Sequence, residues 1–210
     1  MDAEGWVLAG GRSLRMGRDK AQVELAGRTL LGRMLEKLEA LGVRARVAGL
    51  REPVGGVTAE VIPDAHPDCG PLSGMEIALG RSKAELVLVL GVDLPLLETE
   101  FLSWMLRRAA TTGAMATIPV LLGKPQPLCA VYRGELIHGV RAALEAGDYK
   151  MTAAVERASP NDGIDCFAVE RVAATGAWRS RRPLHWQFMN CNTPEELAMA
   201  EAMAEQAPIL

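Results

Sequence analysis

Glu85-Leu86-Val87-Leu88-Val89-Leu90-Gly91-Val92, residues 85–92, is the most apolar segment of the chain. An amphipathic strand alternates apolar and polar residues. This one does not alternate, so both of its faces must be covered. That predicts a central strand of a parallel sheet with helices on either side. The flanking sequence agrees, because strand-length apolar runs alternate with helical spacing along the chain. Residues 5–10 read as the first strand, and 44–50 and 60–63 as two more. The stretch 29–41 carries Leu30, Leu31, Met34, Leu35, Leu38 and Leu41 at helical spacing and stops at Gly42. Further helices are predicted over 71–83, 98–112, 135–146 and 151–158. Strands are predicted over 114–120, 127–132, 164–169 and 186–190. Thr193-Pro194-Glu195-Glu196 opens a last helix with an N-cap, a proline in the first position and acidic residues in the first turn. The expected fold is a three-layer α/β sandwich with a mostly parallel sheet, formed as one domain over residues 1–210. The polar segment 159–183 is expected to be a mobile or variable excursion.

Bulk composition removes several function classes. The chain has 210 residues, 49% of them hydrophobic and 23% charged, as a globular core requires. A net charge of -3 provides no global footprint for DNA or RNA, so an anion site must be local. The four cysteines form no CxxC pair and the three histidines no zinc spacing, so the thiols are expected to be reduced and buried. The start, MDAEGWVLAGG, is too short and too acidic for a signal peptide, and no window approaches the ~20 apolar residues of a membrane span. A cytoplasmic location without membrane contact is expected.

In such a sheet, ligands collect beyond the carboxyl ends of the strands. The loop after the first strand reads Leu8-Ala9-Gly10-Gly11-Arg12-Ser13-Leu14-Arg15-Met16-Gly17-Arg18-Asp19-Lys20. It is neither a P-loop nor a GxGxxG turn. Yet two glycines let backbone N–H groups approach a ligand, and Arg15 and Lys20 supply charge for phosphate oxygens. The loop after 85–92 carries Asp93, either a Mg²⁺ carboxylate beside nucleotide phosphates or a cap for the helix after Pro95. The loop after 60–63 brings Asp64 and then Gly70-Pro71-Leu72-Ser73-Gly74, where backbone is accessible at a helix start. His66, between them, is read as structural.

LAGGRSLRMGRDK closely resembles the signature LAGGxSxRMGxDK of molybdenum cofactor guanylyltransferases, members of the nucleotidyltransferase superfamily with a Rossmann-like fold. The resemblance continues in order through Gly70–Met75, Val92-Asp93-Leu94-Pro95, Gln126-Pro127-Leu128 with Val131-Tyr132, and Asn190-Cys191-Asn192-Thr193-Pro194-Glu195-Glu196-Leu197. Asp19-Lys20 is similar to the guanylyl branch, whereas CTP-using relatives tend to have proline at the aspartate. The resemblance implies that Leu8, Ala9, Gly10 and Gly11 line a GTP site and that Lys20 meets the phosphates. Arg15 corresponds to the catalytic-loop arginine. Asp64 would bind the nucleotide, Asp93 would hold Mg²⁺ with it, and Gly70 and Gly74 would shape the base and ribose side. Asn190 and Asn192 would face the pterin, with Lys150 near its phosphate. The implied partners are GTP, molybdopterin and other proteins of molybdenum cofactor biosynthesis. One departure stands out: Ala48-Gly49-Leu50 occupies a place where members often carry an asparagine near the guanine.

The implied reaction is attack of the molybdopterin phosphate on the α-phosphorus of GTP, with pyrophosphate leaving. Two other readings stay open from sequence. One is a transferase on the same scaffold using CTP or a sugar phosphate; the other is a nucleotide-binding module without catalysis. For Asn192, helix capping is a further alternative to pterin contact.

Overall fold

A computed structural model describes residues 1–10, 19–50, 53–64, 66, 68–159 and 163–206. The run 85–92 forms β6 (Leu86–Gly91), every residue of it buried. It lies between β1 (Ala3–Leu8), to which it is parallel, and β9 (Cys129–Tyr132), to which it is antiparallel. Beyond β1 the parallel run continues through β4 (Arg44–Ala48) to β5 (Glu60–Ile62). On the other side β9 pairs antiparallel with β7 (Ala116–Leu121), and β7 pairs parallel with β10 (Ile164–Ala168). The sheet order is β10-β7-β9-β6-β1-β4-β5, with the short β8 (Lys124–Pro125) folded back on β7 and a separate small ribbon of β2 (Glu24–Leu25) and β3 (Arg28–Thr29). The sheet is therefore mixed but mostly parallel, as the apolar run predicts.

Side-chain alternation along β6 builds the layers. Leu86, Leu88 and Leu90 join a core formed with α1 (Leu30–Ala40) and α3 (Thr99–Thr112). Val87 and Val89 point the other way, into a core formed with α2 (Pro71–Arg81), α4 (Ile137–Glu145) and α5 (Met151–Ala158). Local signals set the helix ends. The Gly32 N–H donates to Thr29 Oγ1 at 3.1 Å to cap α1, and Gly113 closes α3 in the left-handed region at φ 69°.

Three expectations are corrected. The thiols are not all buried: Cys166 on β10 is exposed and Cys69 half-buried, while Cys129 and Cys191 lie in the core. Residues 186–190 form no strand. Instead α7 (Leu184–Gln187) makes one helical turn after the five-residue α6 (Val169–Ala173) and the loop that follows it. The cause is a buried polar anchor: the Gln187 amide donates to Glu98 Oε2 at 3.1 Å and to Ser180 Oγ at 2.8 Å, and a strand would pull it away from both. Nor is the described part of the segment 159–183, from residue 163 on, an excursion. It contributes the edge strand β10, and it places Trp178 against Phe101 and Trp104 at ring separations of 4.9 and 5.3 Å. The final helix, α8 (Pro194–Gln206), follows as predicted.

On the α1 face, Arg33, Lys37, Glu98 and Arg182 are all buried charges. Lys37 is only 2% exposed. Burial, reinforced by repulsion from Arg182 and Arg33, pulls its ammonium down to about 8 from an ordinary 10.5. Folding thus disfavours the proton on Lys37. The cost is fully present below pH 8, shrinks as pH rises, and is gone above the unfolded value near 10.5. Lys37→Met keeps the stem and removes the charge. It is expected to stabilise the fold at pH 7 by on the order of 2–3 kcal/mol, with the gain vanishing near pH 10.5. Thermal midpoints of both proteins across that range check this; a less stable Lys37→Met protein at pH 7 would contradict it.

Candidate active site

Four parallel strands end side by side and are stitched together by their exits. Ala9 N–H donates to Ala48 O at 2.9 Å, Gly49 N–H to Ile62 O at 2.9 Å, and Val92 N–H to Leu8 O at 3.2 Å. Above the ends of β1 and β6 lies a cleft of about 180 Å³ lined by Leu8, Ala9, Gly10, Lys20, Pro71, Gly91, Val92, Asp93 and Leu128. Of the larger depressions, one of about 740 Å³ beside α1 lies away from these strand ends, and one of about 560 Å³ borders Ile62, Pro63 and Asp64 at the end of β5. Gly11 and Arg15 lie outside the described residues.

Lys20 enters the cleft from a one-turn 3₁₀ helix, Lys20–Gln22. Asp19 caps that turn, its Oδ1 accepting from Ala21 N–H at 3.0 Å. The aspartate of the Asp-Lys pair thereby aims the lysine. Its φ of -65° is one that proline also adopts, so this backbone suits either residue. Lys20 Nζ stands 3.4 Å from Asp93 Oδ2 and donates a hydrogen bond to Asn192 Oδ1.

Asp93 sits in a tight turn after β6, closed by Leu94 N–H donating to Gly91 O at 3.3 Å. Gly91 makes room for it: a Cβ there would lie 2.7 Å from Asp93 Oδ1. The capping alternative for Asp93 does not hold, because α3 begins at Thr99 and its N-cap position is Glu98. The capping alternative for Asn192 fails as well. Thr193 Oγ1 accepts from Glu196 N–H at 3.2 Å, while Glu196 Oε2 accepts from the N–H groups of Thr193 at 3.1 Å and Asn192 at 2.7 Å. This reciprocal cap leaves the Asn192 carboxamide to Lys20. Cys191 ties the two loops together, its N–H donating to Asp93 O at 2.9 Å. Burial, then the charges of Asp93 and Glu196, push its thiol up to about 12, so it stays protonated and is no nucleophile.

On the α2 side, Asp64 Oδ1 accepts from the Ser73 hydroxyl and from His66 N–H, the latter at 2.9 Å. Gly10 and Gly49 cross closely, since a Cβ on Gly49 would lie 3.0 Å from Gly10 Cα. Asp64 borders this crossing, with Oδ2 3.6 Å from where a Gly10 Cβ would stand. Gly70, at φ 65°, is the N-cap position of α2, makes no side-chain cap bond there, and faces open space. Gly74 acts one layer down: it is buried, and the place of its Cβ is taken by Leu8, whose Cδ2 would be 3.1 Å away. Lys150 is exposed at the start of α5, and it does not line the cleft that holds Lys20 and Asp93. Hydrogen bonding with Cys69 raises the phenol of its neighbour Tyr149. Asn190 is exposed, two residues before Asn192.

Gly91 and Leu128 were not assigned to the site from sequence, although both shape the cleft; Leu128 O accepts from Gly91 N–H at 2.7 Å. The signal for Gly91 was its position as the one residue without a side chain at the end of an otherwise bulky strand. No local signal pairs Lys20 with Asn192, which are 172 positions apart. Among the described residues no three His, Cys, Asp or Glu side chains group to enclose a metal ion. A single carboxylate in a largely apolar cleft instead matches a divalent metal held jointly by protein, ligand phosphates and water. No helix among the described residues is long and apolar enough to cross a membrane.

A family model described as the MobA-like NTP transferase domain matches residues 5–161. The chain belongs to the MobA-like NTP transferase family. Among relatives of this family, a molybdenum cofactor guanylyltransferase of Rhizobium meliloti is 31% identical, over 93% of this chain and 89% of that protein. A probable molybdenum cofactor guanylyltransferase of Deinococcus radiodurans is 32% identical over 96% of this chain and 95% of its own length. Among solved structures, the molybdopterin-guanine dinucleotide biosynthesis protein A of Archaeoglobus fulgidus superposes with a TM-score of 0.79 at 25% identity, covering 97% of this chain and 99% of that one. The MobA-like family consists of nucleotidyltransferases, which accounts for a cleft at the carboxyl ends of a Rossmann-like sheet.

Proposed function

We propose that this chain, acting as one nucleotidyltransferase domain over residues 1–210, transfers GMP from GTP to the phosphate end of molybdopterin in molybdenum cofactor. The products are the guanine dinucleotide form of the cofactor and pyrophosphate. The observation that carries this reading is the meeting of Lys20, Asp93 and Asn192 over the ends of β1 and β6. It gives a phosphate-facing cation, a carboxylate and an amide, which is what a phosphoryl-transfer site between two ligands requires.

In this reaction an oxygen of the pterin phosphate forms a bond to the α-phosphorus of GTP, and the bond from that phosphorus to the β-phosphate oxygen breaks. No covalent enzyme intermediate is required, so the protein's work is positioning and charge neutralisation. Lys20, with Arg15 from the preceding loop, neutralises the triphosphate and the pyrophosphate leaving from it. Gly10 and Gly11 bring backbone to the phosphates, and Leu8 and Ala9 wall that side. The uncapped start of α2 at Gly70 offers N–H groups and the positive end of a helix dipole. Asp64 is held by Ser73 at the edge where the nucleoside would lie, while Gly74 lets Leu8 seat beneath it. Asn190 and Asn192 face the pterin, and Lys150 serves the acceptor phosphate. Asp93 would hold Mg²⁺, which supplies further positive charge at the phosphates when bound. Other proteins of molybdenum cofactor biosynthesis would supply and receive the pterin.

Nucleotide choice separates this reading from a CTP-using relative. Asp19 caps a turn, and Ala48-Gly49-Leu50 stands where members often carry an asparagine near the guanine. Binding of GTP, CTP and ATP, each with Mg²⁺, is expected to favour GTP by at least about tenfold. Equal or tighter binding of CTP would replace guanylyl with cytidylyl transfer.

A further inference from the structure

We infer that Asn192 is the positioning residue for Lys20. Through this one hydrogen bond, residues 190–193 on the acceptor side would set the ammonium that meets the triphosphate; the inference rests on the placement of Lys20 at the nucleotide phosphates proposed above. The backbone N–H groups around Asn192 are engaged: Cys191 N–H goes to Asp93 O, and the N–H groups of Asn192 and Thr193 go to Glu196 Oε2. Thr193 supplies the helix cap. The segment is therefore fixed without help from the Asn192 side chain, and its carbonyl oxygen accepts from Lys20 Nζ.

The chemistry explains why an amide stands there. Lys20 is a flexible side chain, 24% exposed, whose other partner is Asp93 at 3.4 Å. With the carboxylate alone, the ammonium would fold onto Asp93 and neutralise a group wanted for the metal. A neutral acceptor on the opposite side holds the ammonium between the two and adds no negative charge where a polyanion must enter. Preorganising a lysine in this way lowers the entropy lost when phosphate binds. The amide that restrains Lys20 also belongs to the segment proposed to face the pterin, so acceptor binding and triphosphate binding share one side chain.

The test is calorimetric and needs no acceptor. GTP with Mg²⁺, inorganic triphosphate without metal, and guanosine are titrated into the full chain and into Asn192→Ala, Lys20→Ala and the double variant. Asn192→Ala is expected to weaken GTP and inorganic triphosphate alike, each by roughly fivefold to tenfold, and to leave guanosine unchanged. In the Lys20→Ala background, replacing Asn192 is expected to change triphosphate affinity by less than about twofold. Arg108→Ala is the structural control: it breaks the ion pair with Asp165 on the edge strand β10, lowers the thermal midpoint and leaves triphosphate affinity alone. If Asn192→Ala folds poorly, Asn192→Ser must show the same pattern. Unchanged triphosphate affinity in Asn192→Ala, losses additive with Lys20→Ala, or equal weakening of guanosine would each overturn the inference. If Lys20→Ala itself binds triphosphate as the parent does, the placement of Lys20 at the phosphates fails first and the inference falls with it. If Lys20→Ala binds weakly but Asn192→Ala does not, the inference alone fails.

Discussion

Asp93→Ala is expected to reduce nucleotidyl transfer by at least about a thousandfold while leaving the thermal midpoint within a few degrees of the parent. The activity loss follows from the proposed role, in which Asp93, a carboxylate lining the cleft, holds a metal beside the phosphates. The intact fold follows from the geometry. The side chain rests over Gly91 at the surface of the strand ends and fills no core cavity. The loop keeps its tie to Cys191, because that bond is accepted by the Asp93 main-chain oxygen. Asp93→Asn, nearly the same shape without the charge, should be almost as inactive. Rates measured at saturating GTP and Mg²⁺, with melting curves on the same samples, decide the matter. Parent-like turnover in either variant would remove Asp93 from the site.

Lys20→Ala is expected to lose about tenfold to a thousandfold in turnover, or on the order of 1–4 kcal/mol of transition-state stabilisation. Its ammonium is the described cation in the cleft, and it reaches the centre from a capped turn. Lys20→Arg should recover only part of the rate. A planar fork cannot take the place of a compact ammonium held between Asp93 Oδ2 and Asn192 Oδ1. Turnover and GTP affinity for both variants check this, and an Arg variant as fast as the parent would mean that charge alone matters at this position.

The sheet was legible because β6 is buried on both faces, and a strand-length apolar run without alternation demands cover on both sides. Thr29, Gly42 and Gly113 marked or closed their helices through local chemistry that any context preserves. Residues 186–190 mimic a strand through their apolar side chains, while the deciding contact, Gln187 with Glu98, joins positions 89 apart. The segment 159–183 deceives for the same reason, as its polar composition hides one long-range aromatic anchor, Trp178. Within the site, Asp93 announced itself by lying just past a strand end, and Lys20 by closing the cationic loop that follows the first strand. What they do together did not. The capping alternatives for Asp93 and Asn192 could be removed only once Glu98 and Thr193 were seen at the N-cap positions. Gly74 adds a packing constraint that no local pattern announces: the place of its Cβ is taken by Leu8.

The most direct test follows the α-phosphorus. GTP labelled there is incubated with the protein, Mg²⁺ and molybdopterin-bound molybdenum, and the products are separated. The proposed function predicts that the label appears in the guanine dinucleotide cofactor, with one pyrophosphate released per dinucleotide formed and no transfer when the pterin is left out. Label that stays in GTP, that emerges as free GMP, or that reaches the pterin more readily from CTP would contradict it.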